Sequence, residues 1–249
     1  EVAQGYKDVK ERSAIVKFKA KDEDAYFLAW TTTPWTLPSN LGLCVNPEVE
    51  YVKIRVGGTV YYLAAALVDA VFEGVDGERE VLATFKGRDL EYRDYETLYP
   101  YAVGKINKKA FFVVCDDYVT TEDGTGIVHT APAFGEDDNR VCKKYDMPFV
   151  QFVDGKGQMT ADTDWPGVFV KDADPLILKD LKNSGKLFKA PIFEHSYPHC
   201  WRCDTPLIYY ARESWFIRMT AVRDELIANN DTVNWIPPSI GKGRFGDWL

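Results

Sequence analysis

Alternation with a period of two constrains this chain more than any other feature. The segments AIVKFKA (14–20), AYFLAWT (25–31), YVKIRV (51–56), TVYYLAA (59–65), REVLATF (79–85), AFFVVCDDYV (110–119) and GIVHTA (126–131) alternate or run continuously in β-branched and aromatic residues. That is the pattern of strands with one or both faces buried. Gly57-Gly58 supplies the positive φ values of a tight turn between two of them, so 50–64 reads as a hairpin. Helices are expected at 64–74, 135–146 and 174–185, the last with Asp174 as cap, Pro175 in its first turn and Gly185 closing its end. The fold class is therefore mixed α/β but β-rich, a β-barrel-like body with peripheral helices. The texture changes near 190, to APIFEHSYPHCWRCDTPLIYY, a helical ESWFIRMTAVRDELIANN and WIPPSIGKGRFGDWL. A boundary is placed there, dividing 1–190 from 191–249.

With 46% hydrophobic and 14% aromatic residues, 249 residues can bury a substantial core. No apolar run reaches the roughly 18 residues of a membrane span, and EVAQGYKDVKERS lacks the apolar centre of a secretion signal. The chain reads as soluble and intracellular. Five cysteines without regular spacing argue against a disulfide framework. A net charge of −8 argues against a broad phosphate-binding face, so any nucleic-acid contact is expected to be local, at one end of a strand.

Three stretches carry chemistry. In WTTTPWTLPSN (30–40), three consecutive threonines run into Pro34; a proline-stiffened turn explains the prolines but not the hydroxyls. In GTGIVHTAPAFGEDD (124–138), a strand ends at Pro132 and Glu136, Asp137 and Asp138 fall in the first turn of a helix, where carboxylates meet exposed N–H groups. One or two of these acids serve the helix; a further one is free to meet a cationic ligand. Cys200 and Cys203 in CWRC, preceded by His195 and His199, form half of a tetrahedral zinc site, whose other ligands come from the histidines or from other sequence. Cys44, Cys115 and Cys142 lie in apolar segments and read as buried small hydrophobes. No Gly-x-Ser-x-Gly elbow and no Walker loop is present, and the GTG run is too short to cradle phosphate.

The first two stretches, about 90 residues apart, resemble the editing insertion (connective peptide) of the isoleucyl-tRNA synthetases, class I aminoacyl-tRNA synthetases. Trp35 after Thr-Pro and the pair His129-Thr130 distinguish this pattern from the valine and leucine enzymes. PHCWRCDTPLIYY and GKGRFGDWL resemble the segment leading back to the catalytic domain, so the resemblance covers nearly the whole chain. The HIGH and KMSKS signatures are missing, so aminoacylation, with its ATP and Mg, is not expected of these residues.

The resemblance implies a β-barrel-like editing domain at 1–190, a connecting segment at 191–249, and hydrolysis of valine esterified to tRNA(Ile), with valyl-adenylate as a second substrate. It places Thr31, Thr32, Thr33 and Asp138 in the catalytic set. Trp35, Asn40, His129, Thr130 and Asp138 make up the substrate-binding set, with His129 limiting side-chain size and Asp138 receiving the α-ammonium group. Editing would need no cofactor; structural zinc on Cys200 and Cys203 would lie outside the pocket. The implied partners are the tRNA 3′ end and the rest of the synthetase, in the cytoplasm and away from membranes. Two rivals make different predictions: a binding module would leave mischarged tRNA intact, and a metal-dependent hydrolase using Cys200, Cys203 and the histidines would be stopped by chelation.

Overall fold

The computed structural model describes residues 2–249. Eleven strands appear among them: β1 (Tyr6–Arg12), β2 (Ala14–Lys19), β3 (Ala25–Thr31), β4 (Gly42–Val45), β5 (Glu50–Val56), β6 (Thr59–Ala64), β7 (Arg79–Lys86), β8 (Phe112–Cys115), β9 (Ile127–Thr130), β10 (Leu187–Lys189) and β11 (Ile192–Pro198). β1 and β11 form an antiparallel pair; the other nine make one curled, half-barrel sheet. The expected β-rich, barrel-like body with few helices is thus the observed one. The hairpin lies where Gly57 and Gly58 put it, with φ of 55° and 87° between paired Val56 and Thr59.

β3 decides where a cavity can form. One edge pairs with β2 along the strand, while the other is shared: Ala25–Phe27 run parallel to Val60–Tyr62 of β6, and Trp30 pairs with Val128 of β9. The sheet therefore parts at the C-terminal end of β3, where WTTT begins. A 3₁₀ turn (Pro34–Ser39) follows at once, with Pro34 at its first position and all six residues buried. β4 then pairs antiparallel with β9, setting Leu43 opposite His129 and Gly42 opposite Thr130.

The helices are α1 (Val68–Val71), α2 (Glu136–Lys144), α3 (Val170–Asn183), α4 (Met219–Thr232) and α5 (Ser239–Lys242). Three differ from expectation. In place of a helix over 64–74 there is a short 3₁₀ turn (Ala65–Leu67) and the single turn of α1. α3 starts four residues before Asp174 and holds Pro175 in its interior. Its apolar stripe of Val170, Ala173, Ile177 and Leu181, each fully buried, begins upstream of the proline, so packing overrides the local start signal. Asp174 consequently faces inward instead of capping. α4 omits the bulky Trp215, Phe216 and Ile217, which are weak helix formers and almost wholly exposed. The strand expected over 110–119 shortens to β8, because Phe111 has φ of 64° and Asp116 opens a turn by accepting from the Tyr118 N–H.

By packing, the chain divides into Glu1–Ala211 and Arg212–Leu249. Residues 192–198, beyond the change of texture at 190, belong to the first unit through seven register pairs between β11 and β1. Among the described residues, no helix is long and apolar enough to cross a membrane.

Candidate active site

A cavity of about 220 Å³ opens where β3 and β9 end. β3 and the residues after it contribute Trp30, Thr31, Thr32, Thr33 and Thr36; β9 and its continuation contribute Val128, His129, Ala131 and Phe134; α2 contributes Asp138. The two sequence stretches are brought together by the pairing of Trp30 with Val128. Trp30 rests on Gly124, where a Cβ would come within 2.6 Å of the indole, so the first glycine of GTG serves packing.

The threonines form a local chain of hydroxyls. The Thr33 N–H donates to Thr31 Oγ1 at 3.1 Å, and the two hydroxyls are 3.3 Å apart. Thr36 donates its hydroxyl to the Thr33 carbonyl at 2.8 Å and lies 2.6 Å from His129 Nε2. Thr32 lines the cavity outside this chain. Short, neutral side chains with stiff χ1 angles hold these oxygens in place without a strong nucleophile.

His129 is 6% exposed. Burial pushes its pKa down to about 4, so the ring is neutral and forms a wall instead of a cation. Asp138 is half-buried, and its Oδ1 accepts the Ala131 N–H at 2.7 Å. Burial pushes its pKa up to about 6, against the lowering effect of that backbone bond. Gly135 makes room for this carboxylate: a Cβ there would sit 2.2 Å from Asp138 Oδ2. Asp137, one residue earlier and about 100° around the helix, is exposed and pairs with Arg140 at 2.9 Å.

Three residues of the expected substrate-binding set stand behind the wall. Trp35 is 2% exposed, packs edge-on against Phe134 at 4.8 Å, and donates its backbone N–H to Asp174 Oδ1 at 2.8 Å. Asn40 is buried, accepts from the Tyr95 hydroxyl at 2.7 Å and donates to the Gly42 carbonyl at 2.8 Å. Thr130 is fully buried and its hydroxyl has no partner. Trp30, Thr36, Val128, Ala131 and Phe134 line the cavity without having been singled out. Thr36 was legible as the fourth hydroxyl of WTTTPWTLPSN; the apolar four carried no signal beyond the core pattern.

The thiols of Cys44, Cys115 and Cys142 are buried and free, and desolvation pushes the last two up to about 12, so none is a nucleophile at neutral pH. Cys200 and Cys203 lie on a turn in which the Cys200 N–H donates to Thr205 O and the Asp204 N–H to Cys200 O, each at 2.8 Å. The Cys203 thiol is lowered, chiefly by the Thr205 hydroxyl and also by Cys200. The His199 ring is turned onto the Tyr197 carbonyl, and among the described residues no three potential ligands gather. The turn presents two free thiols, Cys200 half-buried and Cys203 exposed.

The family model for class I tRNA synthetases (I, L, M and V) matches residues 1–249. The chain belongs to that family. It is 55% identical over 251 residues to the isoleucine--tRNA ligase of Clostridium novyi and 47% over 253 residues to that of Bdellovibrio bacteriovorus. In each case all of this chain matches 24% of the relative, so it spans about a quarter of their length. Among solved structures, the fold is similar to GlLeuRS-CP1, with a TM-score of 0.56 at 17% identity over 73% of this chain and 99% of that one. The editing domain of the P. knowlesi cytosolic leucyl-tRNA synthetase also has a TM-score of 0.56, at 13% identity over 72% of this chain and 96% of its own. This class I synthetase segment has the editing-domain fold, and its sequence matches an internal part of the isoleucine enzymes.

Proposed function

We propose that the cavity hydrolyses the ester joining valine to the 3′ end of tRNA(Ile), and also valyl-adenylate, while excluding isoleucine. The observation that carries this reading is a neutral, threonine-lined cavity closed by an uncharged histidine and holding one inward carboxylate. A binding site gains only about 1–3 kcal/mol from one methylene, a limit usually illustrated with isoleucine and valine, so a synthetase needs a second site to remove what slips through. Asp138 accepts the substrate's ammonium group in a charge-assisted hydrogen bond. Thr31, Thr32 and Thr33, together with the ribose hydroxyl, orient the attacking water. His129 meets the side chain and leaves no room for another methylene.

Hydrolysis here needs no cofactor; ATP and Mg serve aminoacylation elsewhere in a longer synthetase, in the cytoplasm. Cys200 and Cys203 hold a structural zinc there with ligands from other segments, away from the pocket. Incubating the chain with mischarged valyl-tRNA(Ile) and with isoleucyl-tRNA(Ile) tests the reading. The valyl ester is lost and the isoleucyl ester kept; equal loss of both, or survival of both, overturns it.

A further inference from the structure

Behind the pocket wall, buried polar groups form a chain whose direction can be worked out atom by atom. Tyr95 is fully buried, and its phenol is held well above its ordinary pKa by desolvation, so it remains a donor. Its hydroxyl lies 2.7 Å from Asn40 Oδ1, while Asn40 Nδ2 lies 2.8 Å from the Gly42 carbonyl. A carbonyl can only accept, so the amide nitrogen must face Gly42 and the amide oxygen must face Tyr95. The orientation of Asn40 is thereby settled. Its remaining N–H points toward His129 Nδ1 at 3.4 Å.

If Nδ1 carried a proton, two N–H groups would oppose each other inside the protein, where no water relieves them. Nδ1 is therefore the acceptor and the ring proton sits on Nε2. Nε2 then donates to Thr36 Oγ1 at 2.6 Å, and Thr36 passes its own proton to the Thr33 carbonyl at 2.8 Å. We infer that Tyr95 and Asn40, neither of which lines the cavity, are positioning residues that fix the tautomer of His129 and, through it, the place of Thr36 in the wall.

Two consequences follow for the site. His129 has both nitrogens engaged and no free lone pair for a water proton, so it acts on substrate size and not as a general base. Thr36 has its only proton engaged by the Thr33 carbonyl, so across the 3.4 Å contact between the two hydroxyls Thr33 is the donor and Thr36 the acceptor. The effect on specificity rests on the deacylation proposed above, whereas the tautomer can be read without any activity.

Long-range proton–nitrogen correlation spectra of the labelled chain test this, with only three histidines to assign. Wild-type His129 shows one neutral tautomer, with the unprotonated signal at Nδ1, between about pH 5 and 8. Asn40→Asp replaces the donor facing Nδ1 by an acceptor, so the tautomer reverses or the ring gains a second proton, its pKa rising by at least about one unit. Tyr95→Phe releases the amide oxygen and gives a mixture of tautomers. Both variants lose about tenfold in the ratio of valyl to isoleucyl hydrolysis. A wild-type proton on Nδ1, or a Tyr95→Phe ring indistinguishable from wild type, overturns the inference, and the wild-type spectrum alone decides if a variant does not fold. Expected spectra with no hydrolysis of either ester overturn the proposed deacylation and leave the tautomer assignment standing.

Discussion

The wall around His129 and the turn at Cys200–Cys203 both gather polar, metal-competent residue types, yet they are built in opposite ways. The wall joins residues far apart in sequence: Thr36 to His129 across 93 positions, and Tyr95 to Asn40 across 55. The backbone of the turn is held locally, by hydrogen bonds among Cys200, Cys203, Asp204 and Thr205, and among the described residues its one distant side-chain partner is Lys7, which pairs with Asp204 at the exposed surface. In the wall, desolvation dominates, lowering His129 and raising Asp138. On the turn, a neighbouring hydroxyl dominates and lowers the exposed Cys203. Burial by long-range packing changes what a residue can do; a local turn only presents it.

The largest expected effect falls on the two adjacent carboxylates of α2. Asp138→Ala lowers valyl-tRNA deacylation by about a hundredfold or more, since losing one partner of a desolvated charge pair costs roughly 2–5 kcal/mol. Asp137→Ala leaves the rate within about twofold, its exposed pair with Arg140 being worth well under 1 kcal/mol. Single-turnover deacylation of both variants, each checked for folding, decides this; a dead Asp137→Ala with a live Asp138→Ala reverses the assignment.

His129→Ala enlarges the cavity. Isoleucyl ester becomes a substrate, with a gain of about 10- to 200-fold, while valyl hydrolysis is largely kept. Comparable loss on both esters would instead mark His129 as a participant in proton transfer.

The pH dependence sharpens the contrast. Asp138 must be ionised to hold an ammonium group, so valyl hydrolysis declines as pH falls through about 6. Its folded pKa lies above the ordinary 3.8, so between those values the folded chain binds more protons than the unfolded one. Stability therefore increases as pH falls across that window, and the charged carboxylate costs stability above it. Asp138→Asn keeps an oxygen for the Ala131 N–H and removes that cost. Its Tm at about pH 7.5 should exceed wild type by a few degrees, on the scale of about 2–4 °C per kcal/mol, and the gap should close toward about pH 4. A variant that is both inactive and less stable at neutral pH would contradict this.

The smallest effect is expected at the turn. Cys200→Ser leaves the deacylation rate within about twofold, and EDTA does not stop hydrolysis. Loss of activity under chelation would move the chemistry to the metal-dependent alternative.

Much of this was determined by the sequence alone. Period-two alternation placed β2, β3, β5, β6, β7 and β9 because side-chain direction along a strand is a local property, and Gly57-Gly58 marked its hairpin because positive φ is nearly a glycine property. The threonine run and the acids of α2 were visible as motifs, and helical geometry alone separated Asp137 from Asp138. What only the tertiary structure decided was where those residues face. Nothing local reveals that β3 parts from β6 and meets β9 at Trp30, which is what makes a cavity there. Nor does it reveal that α3 begins ahead of Pro175 and turns Asp174 onto Trp35, or that Trp35, Asn40 and Thr130 stand behind the wall. Register and layer order come from burial summed over the whole core. A motif can name the residues of a site, and only the packing assigns them to its lining or to its support.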